Sequence, residues 1–279
     1  MQNKNLLNSP RLLELKNKRR KILLNKIIIY FFLFVIIIVS LVFLSRVDAL
    51  NINGTEITGN KIIEQEAINS VAQTELAGNY FWFFPKTNIF FYPKKGIRNK
   101  LSSEFARLRD VQFSLKDRKT LQISVSEREA LYTWCGDTPP AETEEDKTRC
   151  YFLDDTGYIF DEAPYFSGDV YFRFYGPNWK ELNFDKLILF KQTFENIKLK
   201  PVAMYIDTSG YVRMSLSARN SNTVEPEIIF NIDSDFQKMM ENLETALGTE
   251  PLQSDFKNKY SSLEYIDLRF GNKVYFRFR

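Results

Sequence analysis

The chain has 279 residues, a net charge of +3, an aromatic content of 15%, and no histidine. Without histidine there is no Ser-His-Asp or Cys-His nucleophile, no histidine general base and no imidazole metal ligand. The charge is unevenly placed: Lys4, Arg11, Lys16, Lys18, Arg19, Arg20, Lys21 and Lys26 against Glu14 make residues 1–26 +7 and leave −4 for the rest. That excess belongs to a short tail, so it argues against nucleic-acid binding by the remainder.

From Ile27 to Ser45 the chain reads IIIYFFLFVIIIVSLVFLS, with neither charge nor Gly nor Pro, and Lys26 and Arg46 bracket it. As a helix this run reaches about 28 Å, close to the hydrocarbon thickness of a bilayer. Residues 45–70 hold only Arg46 and Lys61 against four acids, so the positive-inside rule puts the N-terminus in the cytoplasm and the bulk outside it. A cleaved signal peptide would carry a shorter apolar run. We therefore expect a cytoplasmic basic tail at 1–26 and a single transmembrane helix at 27–45.

Val47–Ile52 suggests a short strand ending at Asn53-Gly54. Thr58 or Asn60 can cap a helix whose Ile62, Ile63, Ala67, Ile68 and Val71 recur at helical spacing, and Gly78-Asn79 ends it. The aromatic run Tyr80–Phe84 leads through Pro85 to Ile89–Tyr92. Pro93 precedes a second helix, Lys94–Arg107, with Ile97, Leu101 and Phe105 on one face. Two alternating strands follow, through Val111, Phe113 and Leu115 and then Leu121, Ile123 and Val125, turning at Asp117-Arg118-Lys119. The order strand, helix, helix, strand, strand describes a small α+β unit.

Past Glu127-Arg128 short strands dominate, at 130–134, 150–153, 158–160, 170–174, 202–206, 211–216 and 228–232. Helices are expected at Phe184–Phe194 and Asp235–Leu247, the second capped by Asp233 or Ser234. Leu263–Phe270 and Lys273–Arg279 flank Gly271-Asn272, a hairpin signal. Residues 130–279 thus read as a second, mainly antiparallel β domain with flanking helices.

Few constellations carry chemistry. Cys135 and Cys150 are candidates for a disulfide closing a proline-containing loop, with two buried free thiols as the alternative. Glu142, Glu144, Glu145 and Asp146 lack the alternating ligands of a calcium loop and read as solvated charge. Asp154, Asp155 and Asp207 stand at strand ends, where a glycosidase pair is one reading and turn formation the commoner one. No phosphate loop, dinucleotide fingerprint or metalloprotease helix is present. No cofactor, metal or small-molecule substrate is expected. In Lys273–Arg279 the apolar Val274, Phe276 and Phe278 alternate with Tyr275, Arg277 and Arg279. A last strand of this kind at a sheet edge either takes a partner strand or uses its charges for protection.

Several motifs fall in a familiar order: the basic tail with one span, Val47–Gly54, Thr120–Arg128 (TLQISVSER), Tyr151–Asp154 with Gly157–Phe160, and Tyr265–Phe270 (YIDLRF). In this the chain resembles the FtsQ/DivIB bacterial cell-division family. The resemblance implies a POTRA domain at 46–129, the family's β domain at 130–279, and a non-enzymatic scaffold in the cytoplasmic membrane at the division septum. It also implies that the last strand receives a strand from FtsB, itself paired with FtsL. That makes Phe270, Lys273, Tyr275, Arg277 and Arg279 candidate partner contacts. Two other classes, a POTRA-bearing secretion or outer-membrane assembly component and an anchored cell-wall enzyme, fit the motifs less well.

Overall fold

Leu, Lys and Arg are strong helix formers, so the helix holding the apolar run begins well before it. Helix α1 covers Pro10–Ser45 in a computed structural model that describes residues 10–139, 149–177, 183–218 and 225–279. The basic residues from Lys16 to Lys26 therefore extend the helix. Residues 1–9, with Lys4, and the acids Glu142, Glu144, Glu145 and Asp146 lie outside the described residues. Among those described, α1 is the one helix long and apolar enough to cross a membrane, and none of its most apolar window is buried.

The chain divides into two units, Met1–Glu127 and Arg128–Arg279. In the first, the stretch after α1 departs from expectation. Val47–Ile52 is no strand; Asp48–Leu50 forms one 3-10 turn. The cause is the end of α1, whose last carbonyls need donors. Asn51 Nδ2 donates to Ser45 O and Val47 O at 3.0 and 2.8 Å, and Asn88 Nδ2 donates to Ser45 O at 3.1 Å. Backbone bonds from Ile52 N to Thr87 O and from Ile89 N to Leu50 O complete the joint.

Strand β1 follows at Gly54–Thr58. Helix α2 spans Gln65–Leu76, starting later than Thr58 or Asn60 would allow. The amides of Lys61, Ile62 and Ile63 are engaged elsewhere, because all three donate to the Glu127 carboxylate at 2.7–3.1 Å. Burial works to raise that carboxyl, yet the three backbone donors hold it below its usual range.

A two-stranded ribbon, β2 (Asn79–Tyr80) and β3 (Phe84–Pro85), has no counterpart in the sequence reading. Phe83 N donates to Tyr80 O across its turn, and Phe81 and Trp82 both take positive φ, 46° and 67°. Asn and Gly suit such positions; for bulky residues each costs on the order of 1 kcal/mol.

Helix α3 (Lys94–Glu104) and strands β4 (Leu108–Lys116) and β5 (Thr120–Glu127) close the unit. The sheet order is β1-β5-β4, with β1 parallel and β4 antiparallel to β5. Ile68, Ala72, Ile97 and Leu101 from the helices meet Leu121 and Ile123 from the sheet in one core. This is the alternation and helical spacing visible in the sequence.

The second unit is one nine-stranded sheet: β6 (Tyr132–Trp134), β7 (Tyr151–Leu153), β8 (Ile159–Glu162), β9 (Phe172–Tyr175), β10 (Pro201–Ile206), β11 (Tyr211–Leu216), β12 (Glu227–Asn231), β13 (Leu263–Phe270) and β14 (Lys273–Phe278). Its order is β14-β13-β12-β11-β10-β9-β6-β7-β8. Most neighbours are antiparallel, but β6–β9, β9–β10 and β12–β13 are parallel. A parallel pair needs a crossover, and helices supply two of them. Helix α4 (Phe184–Asn196) joins β9 to β10, while α5 (Phe236–Leu247) and α6 (Leu252–Asn258) join β12 to β13. Asn183 and Asp235 cap α4 and α5 through their side chains, accepting from Lys186 N and Lys238 N. Leu187, Phe190 and Phe194 of α4 and Met239, Met240 and Leu243 of α5 pack with Met204, Met214, Phe230 and Ile266 of the sheet.

Cys135 and Cys150 are joined by a disulfide across a sequence separation of 15. Closing a loop of that length stabilises by about 3 kcal/mol in the chain-entropy account. The bridge packs with Tyr175, Ala203 and Tyr205.

Candidate functional site

The final hairpin is built by alternation. Val274, Phe276 and Phe278 point to the core shared with Ile266 and α5, while Lys273, Tyr275 and Arg277 are exposed. In register, Ile266 faces Phe276, Tyr265 faces Arg277 and Asp267 faces Tyr275. Asn242 Nδ2 of α5 donates to Gly271 O at 2.8 Å, tying the turn to the helix layer.

Strand β14 ends the strand order, and among the described residues no strand pairs with its outer side. A six-residue ribbon of backbone donors and acceptors is therefore left at the rim. The opposite rim, β8, is shorter and carries Asp161 and Glu162. In the first unit the long rim strand β4 exposes Arg109, Asp110 and Lys116 along its length. The charged residues of 273–279 are all basic: Lys273, Arg277 and Arg279.

The candidate contacts from the sequence fall together on this hairpin. Phe270 and Tyr275 are 55% and 47% exposed, and their rings meet edge to face at 5.1 Å. Arg277 Nε donates to Glu264 Oε2 at 3.0 Å with both side chains accessible, a pair of small energetic weight. Lys273 opens β14 beside Phe270. Arg279 lies just past the strand, where its N–H donates to Ser262 O at 2.7 Å.

Sequence reasoning missed what stiffens this surface. Asp267 is buried and chelated by Arg269: Nε reaches Oδ1 at 2.9 Å, Nη2 reaches Oδ2 at 2.6 Å, and the Arg269 N–H donates to Oδ1 at 3.0 Å. The carboxylate in turn pushes the Arg269 guanidinium pKa up, chiefly through these hydrogen bonds. Its guanidinium lies 5.2 Å from the Tyr211 ring centre and 5.6 Å from that of Phe270. The register shift between Asp267 and Phe270 accompanies this clamp and re-aims Phe270 at the rim. The sequence signal was the Asp-x-Arg spacing, which puts both residues on one strand face.

Of the strand-end carboxylates Asp154, Asp155 and Asp207, the first and last order turns through their side chains. Asp154 Oδ1 accepts from Thr156 N, Thr156 Oγ1 and Tyr158 N, and Asp207 Oδ1 accepts from Ser209 N and Tyr211 N. Among the described residues no group of three or more His, Cys, Asp or Glu is arranged to hold a metal ion. No protein-family model matches the sequence, and no curated protein matches it either.

Proposed function

We propose that this chain is a non-enzymatic, single-pass membrane scaffold of the bacterial divisome, of the FtsQ/DivIB type, that captures a partner by strand addition at β14. The observation carrying this reading is the open rim of the nine-stranded sheet, formed by a six-residue strand with an aromatic and basic outer face. Strand addition takes affinity from main-chain hydrogen bonds and specificity from alternate side chains. Tyr and Arg are favoured anchors, and the basic Lys273, Arg277 and Arg279 select a partner segment carrying acids. An FtsB-like strand from a coiled-coil pair with FtsL is the partner of that chemistry.

Other features support the reading. Helix α1 leaves an apolar surface uncovered, which a bilayer would bury. The basic residues before it favour a cytoplasmic N-terminus, with residues 46–279 outside the cytoplasm, where a Cys135–Cys150 disulfide persists. The order β1-α2-α3-β4-β5, with the β2–β3 ribbon inserted between the helices and β1 parallel to β5, supports a POTRA domain over 46–129, and the mainly antiparallel sheet after it supports the family's β domain over 130–279.

Depletion of the protein from growing cells is expected to give filaments that segregate DNA but form no septa. Normal septation after depletion would reject the scaffold role.

A further inference from the structure

The ribbon β2–β3 and the segment after it carry a cluster that the partner edge does not use. Phe81 and Trp82 are 86% and 87% exposed, and Phe83, Phe90 and Phe91 are also exposed. Soluble surfaces rarely keep such aromatic rings together in water. Here two of them also occupy backbone positions that disfavour bulky side chains.

Their place in the fold supplies the reason. An open apolar cleft of about 600 Å³ is lined by Phe81, Phe84, Phe90 and Phe91 together with Leu41 and Leu44 of α1. Leu41 lies four residues before the helix end at Ser45, about 6 Å back along the axis. The aromatic rings thus stand beside the last turn of the apolar helix and not beyond it. The joint is fixed: Asn51 and Asn88 hold Ser45 O, and Arg46 Nε donates to Phe83 O at 3.4 Å. Around this cluster residues 76–103 contain Lys86, Lys94, Lys95, Arg98 and Lys100 and not one acid. Aromatic rings at headgroup depth with flanking bases are the chemistry of an interfacial membrane anchor.

We propose that the Phe81–Phe83 turn and the Phe90–Phe91 pair insert into the outer leaflet of the bilayer that α1 crosses, seating the first unit on an anionic membrane surface. The proposal rests on the reading of α1 as a membrane span. The occupant of the cleft is lipid, because the helix residues that form one wall belong to the segment the bilayer covers.

The test uses the full chain and its W82F variant, each reconstituted into phosphatidylcholine–phosphatidylglycerol vesicles and floated after an alkaline wash. The emission lost in W82F isolates Trp82, whose replacement at an exposed turn leaves the folded units undisturbed. We expect both chains to float, and the Trp82 share to be quenched by lipids brominated near the headgroup and largely shielded from aqueous iodide. A chain that floats while Trp82 remains open to iodide and untouched by bromolipid overturns the insertion and leaves the span intact. Shielding from both quenchers would mean that protein covers the ring, and would equally overturn it. A chain that fails to float overturns the span itself, and the insertion with it.

Discussion

Replacing Asp154 with alanine is expected to cost the second unit about 3–5 kcal/mol, because it removes one partner of a buried ion pair. The Asp154 and Arg128 side chains are only 1% and 15% exposed. One carboxylate oxygen accepts the Thr156 hydroxyl, at 2.7 Å, and the Thr156 and Tyr158 amides, both at 2.9 Å, while the other accepts from Arg128 Nη1. The guanidinium lies 3.9 Å from the Tyr158 ring centre. Alanine would strand the guanidinium and release the turn that aligns β7 with β8. For a unit of this size the loss lowers Tm by roughly 10 °C.

The same site sets an acid limit. Burial acts to raise the Asp154 carboxyl, but the Thr156 hydroxyl, the Tyr158 amide, Arg128 and the Thr156 amide together hold it below its ordinary value. The folded form then binds a proton less readily than the unfolded chain. The contribution is complete above the unfolded carboxyl range, about 3.9, and disappears as pH falls through the folded value. Denaturant titrations of residues 46–279 at neutral and acid pH should show the gap between native chain and Asp154→Ala narrowing in acid. A gap that stays constant across that window would contradict the assignment.

The second large effect is on partner capture. The triple variant K273E/Y275A/R277E reverses two rim charges and deletes the central ring while keeping Val274, Phe276 and Phe278, the residues that seat β14 on its core. The Arg277–Glu264 pair and the Phe270–Tyr275 contact are exposed, so the sheet should lose no more than about 1–2 kcal/mol. Binding of a co-expressed FtsB/FtsL-type pair should weaken by about 100-fold or more, as expected when an aromatic anchor and its flanking charges are lost together. Unchanged capture by a variant that melts normally would place the partner site elsewhere.

Much of this architecture was legible wherever the apolar period was clean. Strand β11 occupies the range its alternation indicates, Tyr211–Leu216, and β13 and α4 begin where turn and periodic signals put them, at Leu263 and Phe184. The misses have non-local causes. Helix α2 starts late because Glu127, more than 60 residues away, consumes the preceding amides. Val47–Ile52 is not a strand because Asn51 and Asn88 serve the end of α1. The four parallel pairings, β1–β5 in the first unit and three in the second, were invisible because alternation reveals which face a residue takes and not which way its neighbour runs. Ribbon β2–β3 escaped notice because an unbroken aromatic run has no period to read.

The site divides along similar lines. Alternation placed Tyr275 and Arg277 on one face of the last strand, while the partner-contact role proposed for them rests on the family resemblance. That β14 would stand at the rim depends on the whole strand order, which no local pattern encodes. The Asp267–Arg269 clamp lies outside the Gly271-Asn272 turn, yet it sets the Arg269 guanidinium against the rings of Phe270 and Tyr211.

A photocrosslinking residue placed at Tyr275 in dividing cells, with one at Tyr165 as an exposed comparison site, tests the partner edge most directly. Strand capture at β14 predicts an adduct from position 275 whose second component is a membrane-anchored coiled-coil protein linked through an extended, acid-bearing segment, with no such adduct from position 165. Absence of that adduct at 275, or the same products from both positions, would contradict it.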